Sequence, residues 1–116
     1  MIYAKQNDIA FASVLNKAGN FVKASIPAVT AAAAGVKMPK DFKVSITDAD
    51  GETAYPISTF TWLLVYEKNG EGKGVILKGF LKWMLKDGQG MAAALGYAPL
   101  PGSVHAMVAK AIEVIK

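Results

Sequence analysis

Hydrophobic and polar positions change rhythm several times along this chain of 116 residues. Short apolar runs at residues 9–15 and 20–23 flank Asn16-Lys17-Ala18-Gly19, whose glycine offers the positive φ of a tight connection, and this pattern predicts a β-hairpin. Ser25 then stands as a helix N-cap, Pro27 fits a first turn where a missing N–H does no harm, and small apolar residues carry the helix to Ala34. Gly35 is placed to end it in the left-handed conformation, with Pro39 preventing continuation.

Phe42, Val44 and Ile46 alternate with Lys43, Ser45 and Thr47, the period of a half-buried strand, before Asp48-Ala49-Asp50-Gly51 turns the chain. Residues 57–66 are β-branched, aromatic or aliphatic almost without interruption. They predict a central strand buried on both faces, entered through Pro56.

After a glycine-rich surface loop at 69–74, the spacing of Ile76, Phe80, Trp83 and Met84, widened by Leu77 and Leu81, predicts a helix over 74–86. Its expected buried face is Ile76, Phe80 and Trp83 or Met84, packed on the 57–65 strand, and Asp87-Gly88 is expected to end it. Residues 91–95 read as a further turn, and 96–102 as a loop held by Pro99 and Pro101. Ser103 is placed to cap a last helix running to Ile115, with Val104, Met107, Val108, Ala111, Ile112 and Ile115 on its apolar face. Alternating helices and strands imply an α/β architecture.

Composition adds a bias toward burial: 53% of residues are hydrophobic, mean hydropathy is +0.28 and only 19% are charged, so some apolar surface is expected to meet a partner. The net charge of +4 comes from scattered lysines without a single arginine, which argues against a nucleic-acid reader. The absence of cysteine excludes a disulfide framework, a thiol nucleophile and a thiolate metal site. The apolar run at 26–36 falls short of the roughly 20 residues that a bilayer requires. Residues 1–8 lack the charged start, apolar core and cleavage site of a secretory signal.

Few residues invite chemistry. Gly70, Gly72 and Gly74 precede a helix, but Gly79 is followed by Phe80 where a Walker loop needs Lys and then Ser or Thr, and Glu71 would repel phosphate. Asp48, Asp50 and Gly51 lack the spacing of a calcium loop and read as a turn. His105 has no cysteine to join it and no nominated nucleophile, so neither metal binding nor catalysis is expected of it. Trp62, Phe80, Trp83 and Tyr97 read as core aromatics in preference to base- or sugar-stacking platforms.

The sequence Ala-Tyr-Pro-Ile-Ser-Thr-Phe-Thr-Trp-Leu-Leu-Val at 54–65 is similar to the segment that crosses between lobes in the periplasmic phosphate-binding proteins of ABC transporters. The resemblance continues through Tyr3-Ala4-Lys5-Gln6-Asn7, Ala31-Ala32-Ala33-Ala34-Gly35, Phe80-Leu81-Lys82-Trp83, Asp87-Gly88-Gln89 and Leu95-Gly96-Tyr97-Ala98-Pro99-Leu100-Pro101. It implies an α/β chain that is the C-terminal fragment of a two-lobed, type II periplasmic-binding-protein fold. Residues 1–54 would close one lobe and 55–116 the other, with a crossing near 54–57 and a hinge at Ala54, Tyr55 and Pro56.

The same resemblance implies a non-enzymatic role without cofactor or metal: the C-terminal part of a periplasmic protein that captures phosphate for an ABC permease. Phosphate and the permease would be partners of the intact parent, whereas this chain would self-associate or receive the missing N-terminal portion. Met1 would then be an added or internal start. The family's anion donors lie largely on Ser/Thr loops and an Arg-Ser-x-x-Ser-Gly-Thr-like segment, and this chain has no counterpart. No phosphate-binding residue therefore carries over. Ser58 and Thr59, with Thr61, are the ligand candidates beside the crossing, and the chain alone is not expected to hold phosphate. The alternative is a stand-alone structural or protein-interaction module descended from the same family.

Overall fold

In the computed structural model, which describes residues 2–116, a short helix α1 (Ile2–Gln6) precedes strands β1 (Ser13–Leu15) and β2 (Phe21–Lys23). Met1, expected as an added or internal start, lies outside the described residues. The strands form the hairpin that the sequence predicts, with Val14 opposite Val22 in antiparallel register. Its turn is closed by the Gly19 amide donating to the Asn16 carbonyl at 2.9 Å, with Gly19 at φ 83°.

Helix α2 (Ile26–Ala34) starts as its sequence dictates: the Ser25 hydroxyl accepts from the Ala28 amide at 3.3 Å, and proline occupies the first turn. Its buried stripe consists of Ala28, Ala32 and Ala33, small side chains that let the following chain approach closely. Gly35 is not left-handed as expected, since its φ is −72°. Space explains the glycine instead: a Cβ there would stand 2.9 Å from the Asp50 carbonyl oxygen.

Residues 42–47 keep the expected alternation in burial, odd positions outward and Phe42, Val44 and Ile46 inward, yet form no strand. They lie beside residues 56–62 in antiparallel sense. The Asp48 amide donates to the Pro56 carbonyl at 2.8 Å, the Thr47 hydroxyl to the Ser58 carbonyl at 3.4 Å and the Trp62 indole to the Phe42 carbonyl at 3.2 Å. Two of these three links use side chains, so no ladder forms.

The expected central strand at 57–66 is likewise not formed. The segment has neither strand structure nor any backbone–backbone hydrogen bond among the described residues, and Leu64 is 97% exposed. Its composition suits burial on both faces, but the segment alongside, residues 42–47, joins it largely through side chains, and residues 61–66 are exposed. A strand is a property of its partners as much as of its own side chains.

Helix α3 (Lys73–Ala92) runs through Asp87-Gly88 instead of ending there. Its buried face also differs from expectation: Leu81 and Leu85 are buried with Leu77 and Met84 beside them, whereas Ile76, Phe80 and Trp83 are 75%, 52% and 44% exposed. Both sets recur at helical spacing, so periodicity alone could not choose between them. The choice follows from helix α4 (Gly102–Glu113), whose Val104, Ile112 and the following Ile115 are buried as expected. The cap of α4 is Pro101, without a side-chain bond, and Ser103 lies inside the first turn instead of capping it.

Two separate clusters of buried apolar residues result among the described residues. Ala32, Ala49 and Ala54 form one with Val36 against it; Leu81, Leu85, Ile112 and Ile115 form the other. The molecule measures 50 × 32 × 19 Å, with a radius of gyration of 16.2 Å. A compact domain of this length would have a radius of about 13 Å.

Candidate functional site

Residues 54–58, among and beside which the ligand candidates lie, are anchored from two directions. Ala54 and Pro56 are buried, and the Tyr55 amide donates to the Ala28 carbonyl of α2 at 3.0 Å. Asn16, a buried polar residue of the hairpin turn, aims its side-chain amide at three carbonyl oxygens, those of Gly51, Glu52 and Ala54, at 3.1, 2.9 and 3.2 Å. Its own side-chain oxygen accepts from the Asn20 amide at 3.0 Å. The hairpin turn thereby holds the backbone of residues 51–54, a function of Asn16 that neither periodicity nor motif suggested.

Ser58 and Thr59 point to different surroundings. Ser58 is buried and its hydroxyl donates to the Tyr55 carbonyl at 2.7 Å, closing a local turn. Thr59 is exposed, with its hydroxyl 3.2 Å from the Phe60 carbonyl. Thr61 is also exposed. The structure does not gather these hydroxyls around a common point.

An open recess beside β2 is lined by Lys5, Asp8, Phe11, Lys23 and Ser25. The Lys23 ammonium sits 4.9 Å from the Phe11 ring centre, and Asp8 adds a carboxylate to the lining. The Ser25 hydroxyl is engaged in capping α2. No enclosed polar cradle for a desolvated oxyanion is present among the described residues lining this recess.

Helices α3 and α4 meet through charge as well as apolar packing. Lys82 reaches Glu113 at 2.6 Å and Lys78 approaches it at 3.8 Å, while the Lys78 ammonium donates to the Glu113 carbonyl at 2.9 Å. The hydrogen bond from Lys82 is the main cause holding the Glu113 carboxyl below its ordinary range. At the hairpin turn, Lys17 pairs with Asp50 at 2.8 Å, and that hydrogen bond raises the lysine above its ordinary value.

His105 ties the same helices together, its Nε2 lying 2.9 Å from the Leu85 carbonyl. No cluster of three potential metal-ligating side chains occurs among the described residues. Nor is any helix among them long and apolar enough to cross a membrane.

No family model matches the chain. Individual relatives do. It is 38% identical over 107 residues to the phosphate-binding protein PstS of Pasteurella multocida, covering 88% of this chain and 30% of that protein. It is 37% identical to the phosphate-binding protein PstS of Methanocaldococcus jannaschii over 128 aligned positions, covering 98% of this chain and 33% of the relative. The protein of the same name from Haemophilus influenzae is 36% identical over 106 residues. The chain is thus homologous, over most of its length, to phosphate-binding proteins of which it spans about a third.

Proposed function

We propose that this chain is the C-terminal part of a two-lobed phosphate-binding protein serving ABC-transporter phosphate uptake in the periplasm, and that it does not bind phosphate by itself. The supporting observation is similarity to PstS proteins at 36–38% identity, combined with coverage of only about a third of each. In this reading the role is non-enzymatic. Residues 1–54 close one lobe and 55–116 the other, with Ala54, Tyr55 and Pro56 as the hinge between them. The separation of the Ala32-Ala49-Ala54 cluster from the Leu81-Leu85-Ile112-Ile115 cluster supports that division.

The absence of a cradle follows from physical cost. A phosphate taken out of water must receive hydrogen bonds from several directions, because each unpaired buried charge or acceptor is costly. The Ser58 hydroxyl already donates to a carbonyl, Thr59 faces solvent and no arginine exists in the chain. The donors that complete a site are therefore assigned to the remainder of the parent protein, and the permease is a partner of the intact parent.

Calorimetric titration of inorganic phosphate into the chain at near-physiological salt tests the reading. The expected result is no saturable heat. Saturable binding in the micromolar range would overturn it and return attention to Ser58 and Thr59.

A further inference from the structure

Asn69 precedes Gly70 and forms the one Asn-Gly pair of the chain, since Asn7, Asn16 and Asn20 are followed by Asp8, Lys17 and Phe21. The amide nitrogen of the following residue can attack an asparagine side chain, and glycine hinders that approach least because it carries no Cβ. The loop before α3 leaves the attacking group accessible. Gly70 is exposed, a Cβ built on it would meet nothing within 4 Å, and its amide donates to no backbone group among the described residues. The Asp-Gly pairs at 50–51 and 87–88 are placed differently: Lys17 holds the Asp50 carboxylate at 2.8 Å, and Gly88 lies inside α3, where its amide belongs to the helix ladder.

The same asparagine clasps the loop to residue 116. Its Nδ2 donates to the Tyr66 carbonyl at 2.9 Å and to the Lys116 carbonyl at 3.2 Å, and its backbone amide donates to the Lys116 carbonyl at 2.8 Å. The Lys116 amide answers with a bond to the Glu67 carbonyl at 2.7 Å.

We propose that Asn69 is a self-modification site, at which attack by the Gly70 amide and hydrolysis by water deamidate the side chain and release the loop from residue 116. The Gly70 N–H gives its proton to base as the nitrogen bonds to the Asn69 Cγ; the bond from Cγ to Nδ2 breaks, and Nδ2 leaves as ammonia with a proton from water. The product is a five-membered succinimide. Water then opens either ring carbonyl, giving aspartate when it cleaves the new bond at Cγ and isoaspartate when it cleaves the original peptide bond. Nothing is oxidised or reduced, and water is the only co-reactant.

Either product undoes the clasp. A carboxylate has no proton to donate, so it would face the Tyr66 and Lys116 carbonyls as a third acceptor. Isoaspartate also routes the backbone through Cβ, which shifts the Asn69 amide away from the Lys116 carbonyl. The two bonds from Nδ2 restrain the side chain, so attack follows openings of the loop, and each conversion removes bonds that would reclose it.

The test is incubation of the full chain in mildly alkaline, ammonia-free buffer, with mass-spectrometric peptide mapping that distinguishes aspartate from isoaspartate. Asn69 should convert about tenfold or more faster than the exposed Asn7, with an equal yield of ammonia. Gly70→Ala should slow the conversion about tenfold or more while leaving the circular dichroism unchanged, because Gly70 is not left-handed and its Cβ position is open. Asn69→Asp, which carries one product from the start, should exchange the Asn69-position and Lys116 amides about tenfold faster than the parent, with the Leu85 amide unaffected. Conversion of Asn69 no faster than that of Asn7, or a rate unchanged by Gly70→Ala, overturns the modification. Parent-like exchange of those two amides in both Asn69→Asp and the converted chain overturns the release. Neither outcome touches the phosphate-binding reading, which the titration of inorganic phosphate tests separately.

Discussion

The side-chain amide of Asn16 lies 3.2 Å from the carbonyl oxygen of Ala54, joining a hairpin turn to a buried residue 38 positions further along the chain. The same nitrogen also serves the Gly51 and Glu52 carbonyls, so two N–H bonds are shared among three acceptors in a buried site. Asn16→Ala leaves the Ala54 carbonyl without that donor, while the Gly51 and Glu52 carbonyls keep the Ala54 amide and the Asn20 side chain, and it should cost about 1–3 kcal/mol. Asn16→Asp should cost more at neutral pH, because a carboxylate would confront the carbonyls with no proton to give. Its folded-state pKa would be raised, so part of the loss should return as pH falls and the carboxyl protonates. Urea denaturation followed by far-ultraviolet circular dichroism measures both changes.

Leu85 and Phe80 separate the two faces of α3. Leu85 packs with Leu81, Ile112 and Ile115, whereas more than half of Phe80 is in water. Leu85→Ala should cost about 2–5 kcal/mol through lost burial and a residual cavity. Phe80→Ala should cost under about 1 kcal/mol in the single chain, as surface substitutions usually do. Equal losses by urea denaturation would show that both faces are packed.

Local chemistry made the hairpin, α2 and α4 legible in the sequence, since Gly19, Ser25 and the Val104-Ile112-Ile115 spacing each act over a few residues. Elements that depend on distant partners were not legible in the same way. Residues 57–66 carry the composition of a central strand without the neighbours that would make one. For α3 two apolar stripes competed, and only the position of α4 selects Leu81 and Leu85 over Ile76 and Phe80. Ser58 was legible as a hydroxyl near the crossing, but its bond to the Tyr55 carbonyl depends on how the turn closes. Asn16 escaped notice because its three acceptors lie 35–38 positions away.

Acid should loosen the docking of α4 on α3. The Glu113 carboxyl is held below its ordinary range chiefly by the hydrogen bond from Lys82, so the unfolded chain binds that proton more tightly than the folded one. The contribution is fully present above the ordinary carboxylate pKa and lost as pH falls through the lowered value. Because the pair is exposed, the effect should be small and weaken with added salt. Glu113→Gln should flatten the acid limb of the stability profile between about pH 5 and pH 2, read from thermal melts at several pH values. An unchanged limb would remove Glu113 as its source.

Two glycines of α3 should respond to alanine in opposite directions. Gly79 lies inside the helix, exposed, with nothing near a prospective Cβ, so Gly79→Ala should stabilise by about 1 kcal/mol through helix propensity alone. Gly74 enjoys the same propensity gain, but a Cβ there would run into the backbone carbonyl group of Lys116. That carbonyl is held in place by the Asn69 amide at 2.8 Å, and the Lys116 amide in turn donates to the Glu67 carbonyl at 2.7 Å, so the contact is with fixed backbone and not with a side chain able to swing aside. Gly74→Ala should therefore lose about 1–3 kcal/mol to overpacking, exceeding what helix propensity returns. Thermal melts of the two variants should move in opposite directions from the parent chain; a Gly74→Ala protein as stable as Gly79→Ala would show that residues 67–69 and 116 do not close over the start of α3.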